Sequence, residues 1–187
     1  MLPSDRSKRF EKTVMPHLDA AYNLARWLTG DPHDAEDVAQ ESSLRALRFL
    51  DSFRGGDPRA WLLRIVRNTA YSFLRKRRGE PEPIGGSEYP VGAVSISPAA
   101  HPESIALRNL DAEIIRKELE GLPADFREIL ILREMEGLAY RDIAEVMDIP
   151  IGTVMSRLAR ARKELRGRLA VFMDTTHGCA DEEEMQP

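Results

Sequence analysis

AYRDIAEVMDIPIGTVMSRLARARKEL, residues 139–165, decides how the chain is read. Its second half places Ile151, Val154, Leu158, Ala161, Leu165 and then Leu169 at spacings of three and four, one apolar stripe along a helix. Thr153, Ser156, Arg157, Arg160, Lys163 and Arg166 fill the opposite face. From Gly152 to Leu169 five Arg and one Lys stand against one Glu, a local charge of +5. The first half, Tyr140 to Met147, sets Ile143, Ala144 and Met147 on one side. The break, Asp148-Ile149-Pro150, holds a proline, which suits a helix start because its missing N–H would lack a partner there anyway. Two helices on so short a connection fit a helix-turn-helix, whose second helix enters the DNA major groove. A basic outer face is also what a merely solvated helix presents, so the rest of the chain has to decide.

The 187 residues allow one medium or two small domains. A hydrophobic content of 42% supports a folded core, and 31% charged with 6% aromatic residues leans toward helices. The single cysteine, Cys179, excludes an internal disulfide framework and a multi-cysteine metal site. No apolar run approaches transmembrane length, and the N-terminus MLPSDRSKRF lacks the apolar core of a signal peptide, so a cytoplasmic protein without membrane insertion is expected. The net charge of −4 argues against a uniformly basic coat but leaves room for local basic patches. His17, His33, His101 and His177 show no ligand spacing, and no Gly-rich phosphate loop or nucleophile constellation occurs. No enzyme, cofactor or metal is expected. His177 and Cys179 are too few for a closed metal site, and residues 174–187 read as a disordered acidic tail.

Residues 79–102, GEPEPIGGSEYPVGAVSISPAAHP, contain five prolines, four glycines, three Glu and no Lys or Arg. They read as an extended acidic linker. It separates a helical domain, residues 1–78, from a second, residues 103–173, which ends in the helix-turn-helix. In the first domain, Phe10 through Leu28 is periodic, with a break expected at Pro16. DAEDVAQESSLRALRFL opens on Asp34, Glu36 and Asp37, acids that favour a helix N-terminus, and Val38, Leu44 and Leu47 give it an apolar side. After the loop DSFRGG, Asp57 caps and Pro58 opens a helix running to about Arg78. Trp61, Leu62, Ile65, Thr69 and Phe73 point inward. Arg64, Asn68, Tyr71 and Arg75 share an outer stripe with Arg67 beside it. Charge interleaved with an aromatic and an amide is the surface that grips single-stranded nucleic acid; an amphipathic helix with a basic C-terminal end offers the same residues. In the second domain ESIALRNLDAEIIRKELEGLP and PADFREILILREMEG are amphipathic. No window alternates as a strand, so the fold class is all-α.

With these stretches in order, the chain resembles bacterial sigma factors of the extracytoplasmic-function group in the sigma-70 family. DAEDVAQESSLRAL, DSFRG, WLLRIVRNTA, LPADFREILILREMEGLAYRDIAEVM and IGTVMSRLARARKEL carry the resemblance, which spans about Phe10 to Leu169. It implies that Asp37, Gln40, Glu41 and Arg45 dock on core RNA polymerase. It implies that Ser52, Phe53, Arg54 and Gly55, with Asn68, form a pocket for a flipped base of the downstream (−10) promoter element. A flipped base has to regain its unstacking cost through stacking and edge hydrogen bonds. Arg64, Arg67, Tyr71 and Arg75 would hold the melted non-template strand. Thr153, Met155, Ser156, Arg157, Arg160 and Lys163 would read the upstream (−35) element in duplex promoter DNA. The family also implies control by an anti-sigma factor, a linker threading the polymerase cleft, and a monomer until polymerase is joined.

Two departures stand out. Met155 occupies a position where members often carry a basic residue, and Ala139 one where a capping hydroxyl is common. A different class, a one-component DNA-binding regulator with residues 1–78 as sensor or dimerisation domain, explains the helix-turn-helix. It does not explain the Arg64, Asn68, Tyr71 and Arg75 stripe.

Overall fold

The structure, a computed structural model, describes residues 3–80 and 110–177. The expected linker lies outside the described residues apart from Gly79 and Glu80, as does most of the acidic tail. Every regular element among the described residues is helical.

The first domain packs four helices, α1 (Pro3–Thr13), α2 (Leu18–Thr29), α3 (Pro32–Phe49) and α4 (Pro58–Arg77). The break at Pro16 is a single 3-10 turn, Met15–His17. The chain leaves α2 through Gly30, whose φ of 77° is open to glycine at little cost. Asp31 then caps α3, its carboxylate accepting from the N–H groups of His33 (2.9 Å) and Asp34 (3.1 Å), with Pro32 at the first helical position. The Asp34 N–H above all holds the Asp31 pKa below its ordinary value. Asp57 and Pro58 repeat this arrangement at the start of α4.

The core between α2, α3 and α4 is alanine-rich, with Ala21, Ala25, Ala35, Ala46 and Ala70 fully buried beside Leu24, Leu50, Leu62 and Leu63. Small residues let the helix backbones approach, and that closeness corrects the expected orientation of α3. Its core side is Ala35, Val38, Ser42 and Ala46. Leu44 and Leu47, too large for that seam, face outward and are 48% and 38% exposed.

The second domain comprises α5 (Leu110–Glu120), α6 (Ala124–Leu130), α7 (Tyr140–Met147) and α8 (Ile151–His177). α6 continues into one π-helical turn, Ile131–Met135, closed by the Glu136 N–H donating to the Ile131 carbonyl at 2.9 Å. Arg127, buried in α6, donates to the carbonyls of Leu119 (3.2 Å), Glu120 (2.7 Å) and Leu122 (3.2 Å). It thereby satisfies acceptors that the end of α5 leaves open.

α7 and α8 form the helix-turn-helix. Asp148 ends α7 at φ 55°, ψ 51°, a left-handed conformation that Asp tolerates better than most residues. Pro150 lies just before α8 rather than inside it, its carbonyl accepting from Thr153 (2.8 Å) and Val154 (3.2 Å). Val154, Leu158 and Ala161 are buried as the stripe requires, but Ile151, at the end of that stripe, is 49% exposed. α8 runs to His177, past residue 174 where the tail was expected to begin. Ala139 precedes α7 in an extended conformation and makes no side-chain cap. Ala139→Ser, adding an oxygen for the free N–H groups of the first turn, is expected to stabilise this domain by about 1 kcal/mol in chemical denaturation. No gain would show that those groups are already well hydrated.

Candidate nucleic-acid interface

α4 carries the expected stripe, and its setting is the principal correction to the sequence reading. Arg67, Asn68 and Tyr71 do not face solvent. They are 9%, 6% and 4% exposed, covered by the second domain, while Arg64 and Arg75 are half-buried. Leu62, Ile65 and Thr69 are buried as expected, whereas Trp61 and Phe73 are only partly so. α4 is therefore buried on two sides, one against its own core and one against α6 and α7.

The cause is Glu128 of α6, whose side chain has no exposed surface. Its Oε1 accepts from Arg67 Nε at 2.6 Å, and its Oε2 accepts from the Tyr71 hydroxyl at 2.9 Å. The Arg67 guanidinium also lies over the Tyr71 ring, 4.8 Å from its centroid. Burial pulls the Arg67 pKa down, but Glu128, Tyr71 and their hydrogen bonding outweigh it and leave the pKa raised. Burial, reinforced by the Glu128 charge, pushes the Tyr71 phenol well above its ordinary value, so the phenol keeps its proton and donates a hydrogen bond to the carboxylate. A second pair, Arg59 with the buried Glu136, joins the same two domains. The Asn68 side-chain nitrogen is buried without a hydrogen-bond partner.

The end of α3 and the loop before α4 are tied to α1. Arg9 donates to the Phe53 carbonyl at 2.7 Å, and Arg6 donates to the carbonyls of Leu47 and Arg48. Phe53 stacks at a tilt on Trp61, with centroids 5.2 Å apart. Since Trp61, Arg64 and Asn68 succeed one another at three and four residues, this aromatic pair stands at the N-terminal end of the stripe. Ser52 and Arg54 are exposed. Gly55 and Gly56 take φ values of 111° and 97°, which a side chain would strain.

On α8 the expected readers divide. Met155, Ser156, Arg160 and Lys163 are exposed, and Thr153 is half-buried. Arg157 is drawn inward to Asp125 of α6 at 3.3 Å. Arg162, which the sequence reading did not select, pairs with Glu134 at 2.6 Å, and that hydrogen bond raises its pKa. On α3, Asp37, Gln40, Glu41 and Arg45 follow helical spacing along one outward face, with Arg45 donating to Glu41 at 2.8 Å. The exposed Leu44 lies among them, giving a polar face an apolar centre.

Glu128, Glu136, Arg59 and Asp125 escaped the sequence reading. The available signal was Glu128 itself, a carboxylate set directly against the apolar run Ile129–Leu132. Among the described residues no three His, Cys, Asp or Glu side chains group as metal ligands, and no helix is long and apolar enough to cross a membrane.

Comparison with known proteins places both domains. Sigma-70 region 2 matches residues 13–80, and sigma-70 region 4 matches residues 112–165. The chain is 37% identical over 142 residues to the ECF RNA polymerase sigma-E factor of Escherichia coli K12, covering 73% of this chain and 74% of that protein. It is 33% identical over 170 residues to the ECF RNA polymerase sigma factor SigE of Mycolicibacterium smegmatis, covering 89% of this chain and 64% of that protein. Among solved structures, the sigma factor RpoE in complex with the anti-sigma factor NepR from Bartonella quintana aligns with a TM-score of 0.67 and 34% identity, covering 88% of this chain and 98% of that one. CnrH in complex with the cytosolic domain of CnrY aligns with a TM-score of 0.59 and 25% identity, covering 87% and 88%.

Proposed function

The chain belongs to the ECF group of sigma-70 factors, and from that membership we propose that it binds bacterial core RNA polymerase and directs it to promoters in the cytoplasm. It acts by binding and positioning; it has no catalytic role of its own. The observation that carries the reading is that each matched region contributes one helix equipped for nucleic acid. α4 combines Arg64, Arg67, Arg75, Tyr71 and Asn68, and α8 presents Met155, Ser156, Arg160 and Lys163.

The two helices suit different forms of DNA. α8, in a helix-turn-helix, reads the upstream element as duplex from the major groove. Its arginines and lysine set register on phosphates, while the Ser156 hydroxyl meets a base edge and the apolar Met155 side chain a thymine methyl. α4 and the Ser52–Gly55 loop take the downstream element as a melted strand. Arginines follow the backbone, aromatic faces stack bases, and the Asn68 amide reads the edge of a flipped base. Arg157, paired with Asp125, positions α8 rather than reading bases. Since RpoE and CnrH were solved with NepR and CnrY, an anti-sigma protein is the proposed regulator here too.

Polymerase docking falls to the outward face of α3. Leu44 supplies an apolar anchor inside a polar rim of Asp37, Gln40, Glu41 and Arg45, the anatomy of an interface hot spot. Fluorescently labelled protein titrated with core polymerase is expected to bind, and Leu44→Asp to weaken that binding about tenfold or more. Absence of binding by the unaltered protein would overturn the proposed function. Binding indifferent to Leu44→Asp would move the docking face away from α3.

A further inference from the structure

We propose that α1 braces the base-capturing loop, with Arg9 and Arg6 as positioning residues that set where the Ser52–Gly55 loop stands against α4. The inference rests on the function proposed above. It gives a part in promoter melting to α1, which ends where the region 2 match, residues 13–80, begins.

Two tethers run from α1 to the backbone around this loop. Arg9 donates to the Phe53 carbonyl at 2.7 Å, inside the loop itself. Arg6 stands three residues earlier, on the same face of α1, and donates to the carbonyls of Leu47 (2.8 Å) and Arg48 (3.1 Å). Those two carbonyls lie in the last turn of α3, where acceptors run out of helical partners and a cation suits the helix dipole. Both arginines also flank Asp51, at 3.8 and 3.7 Å. Asp51 is exposed, so these ion pairs are screened and the bonds to carbonyls carry the positioning. α1 is itself anchored, with Phe10 packed on the core and Val14 fully buried just beyond its end.

Phe53 is the point where the tether matters. Arg9 holds its carbonyl while its ring lies against Trp61, centroids 5.2 Å apart, so backbone and side chain are restrained separately. The preceding turn is fixed by the buried Leu50 and by the Ser52 hydroxyl, which donates to the Phe49 carbonyl at 2.6 Å. Gly55 and Gly56 follow, both at left-handed φ with open space around them. Glycine backbone does not fix its own course, so the direction of the loop is set at Phe53. A flipped base regains its unstacking cost only in a pocket that is already in place, and a small misplacement of that pocket is expensive.

The test compares Arg9→Met with Lys8→Met, which removes the same charge from an exposed neighbouring position on α1. Loop position is read in the free full chain carrying Trp27→Phe, which leaves Trp61 as the single tryptophan. Acrylamide quenching of Trp61 should rise in Arg9→Met and stay unchanged in Lys8→Met. Function is read with bacterial core polymerase on a promoter fragment selected by transcription with the unaltered protein. Arg9→Met should lower permanganate-reactive complexes about tenfold, with core binding, closed-duplex binding and salt dependence unchanged. Arg9→Lys keeps the charge but not the fork. It should show a smaller change of the same kind in both readouts, and it remains informative if Arg9→Met folds poorly. Unchanged quenching overturns the proposal, as does a loosened loop with normal melting. A salt dependence reduced by about one counterion would make Arg9 a phosphate contact instead, and an equal loss in Lys8→Met would make the effect one of charge. If the unaltered protein and core melt no promoter, the functional reading fails and the role in melting with it, while Trp61 still reports whether Arg9 holds the loop.

Discussion

Arg127→Met is expected to lower the stability of the second domain by about 3 kcal/mol. The guanidinium is buried and bonds three carbonyls, those of Leu119, Glu120 and Leu122, where α5 ends and turns into α6. Burial lowers its pKa, yet an arginine remains charged throughout the ordinary pH range. Methionine keeps most of the volume and removes every donor, so the carbonyls lose partners in a place water reaches poorly. The measurement is amide hydrogen exchange at α8, whose buried face packs on α6, during urea titration. Arg116→Met, at an exposed position on α5, is the control and should stay within about 0.5 kcal/mol. A loss below about 1 kcal/mol for Arg127→Met would show that the turn reorganises to satisfy its own carbonyls.

The second large effect separates the two helices proposed to read DNA. Asn68→Ala is expected to reduce formation of melted promoter complexes about tenfold or more while leaving binding of holoenzyme to closed duplex nearly unchanged. Arg160→Ala should do the reverse, weakening closed-duplex binding and reducing its salt dependence by about one counterion. The physical ground is that, on the proposed function, an amide edge contact would form only after a base has left the stack, whereas a phosphate or groove contact from α8 would form before melting. Permanganate reactivity of thymines reports the first step and filter binding across salt concentrations the second. Equal losses in both assays for both variants would remove the division of labour.

Much of this was legible in the sequence because local chemistry set it. Pro16 broke α1 from α2, Asp57-Pro58 opened α4, and the apolar stripe Val154, Leu158 and Ala161 predicted which side of α8 is buried. Errors arose where a second partner decides orientation. α3 seemed to use Leu44 and Leu47 inward, but alanine-lined helix contacts leave room only for Ala35, Val38, Ser42 and Ala46. The stripe on α4 looked external because one helix's periodicity cannot reveal that Glu128, 57 residues beyond Tyr71, lies against it. Arg157 resembled its neighbours Arg160 and Lys163 on the helical wheel, and only the fold brought Asp125 to it.

The most direct test is transcription in vitro. Bacterial core polymerase is given a pool of genomic promoter fragments with and without the protein. The account predicts new transcripts whose templates share two upstream motifs at fixed separation, and their loss with Asn68→Ala. Tight duplex binding by the protein alone, with no protein-dependent transcript from any template, would contradict it and favour a regulator that acts without polymerase.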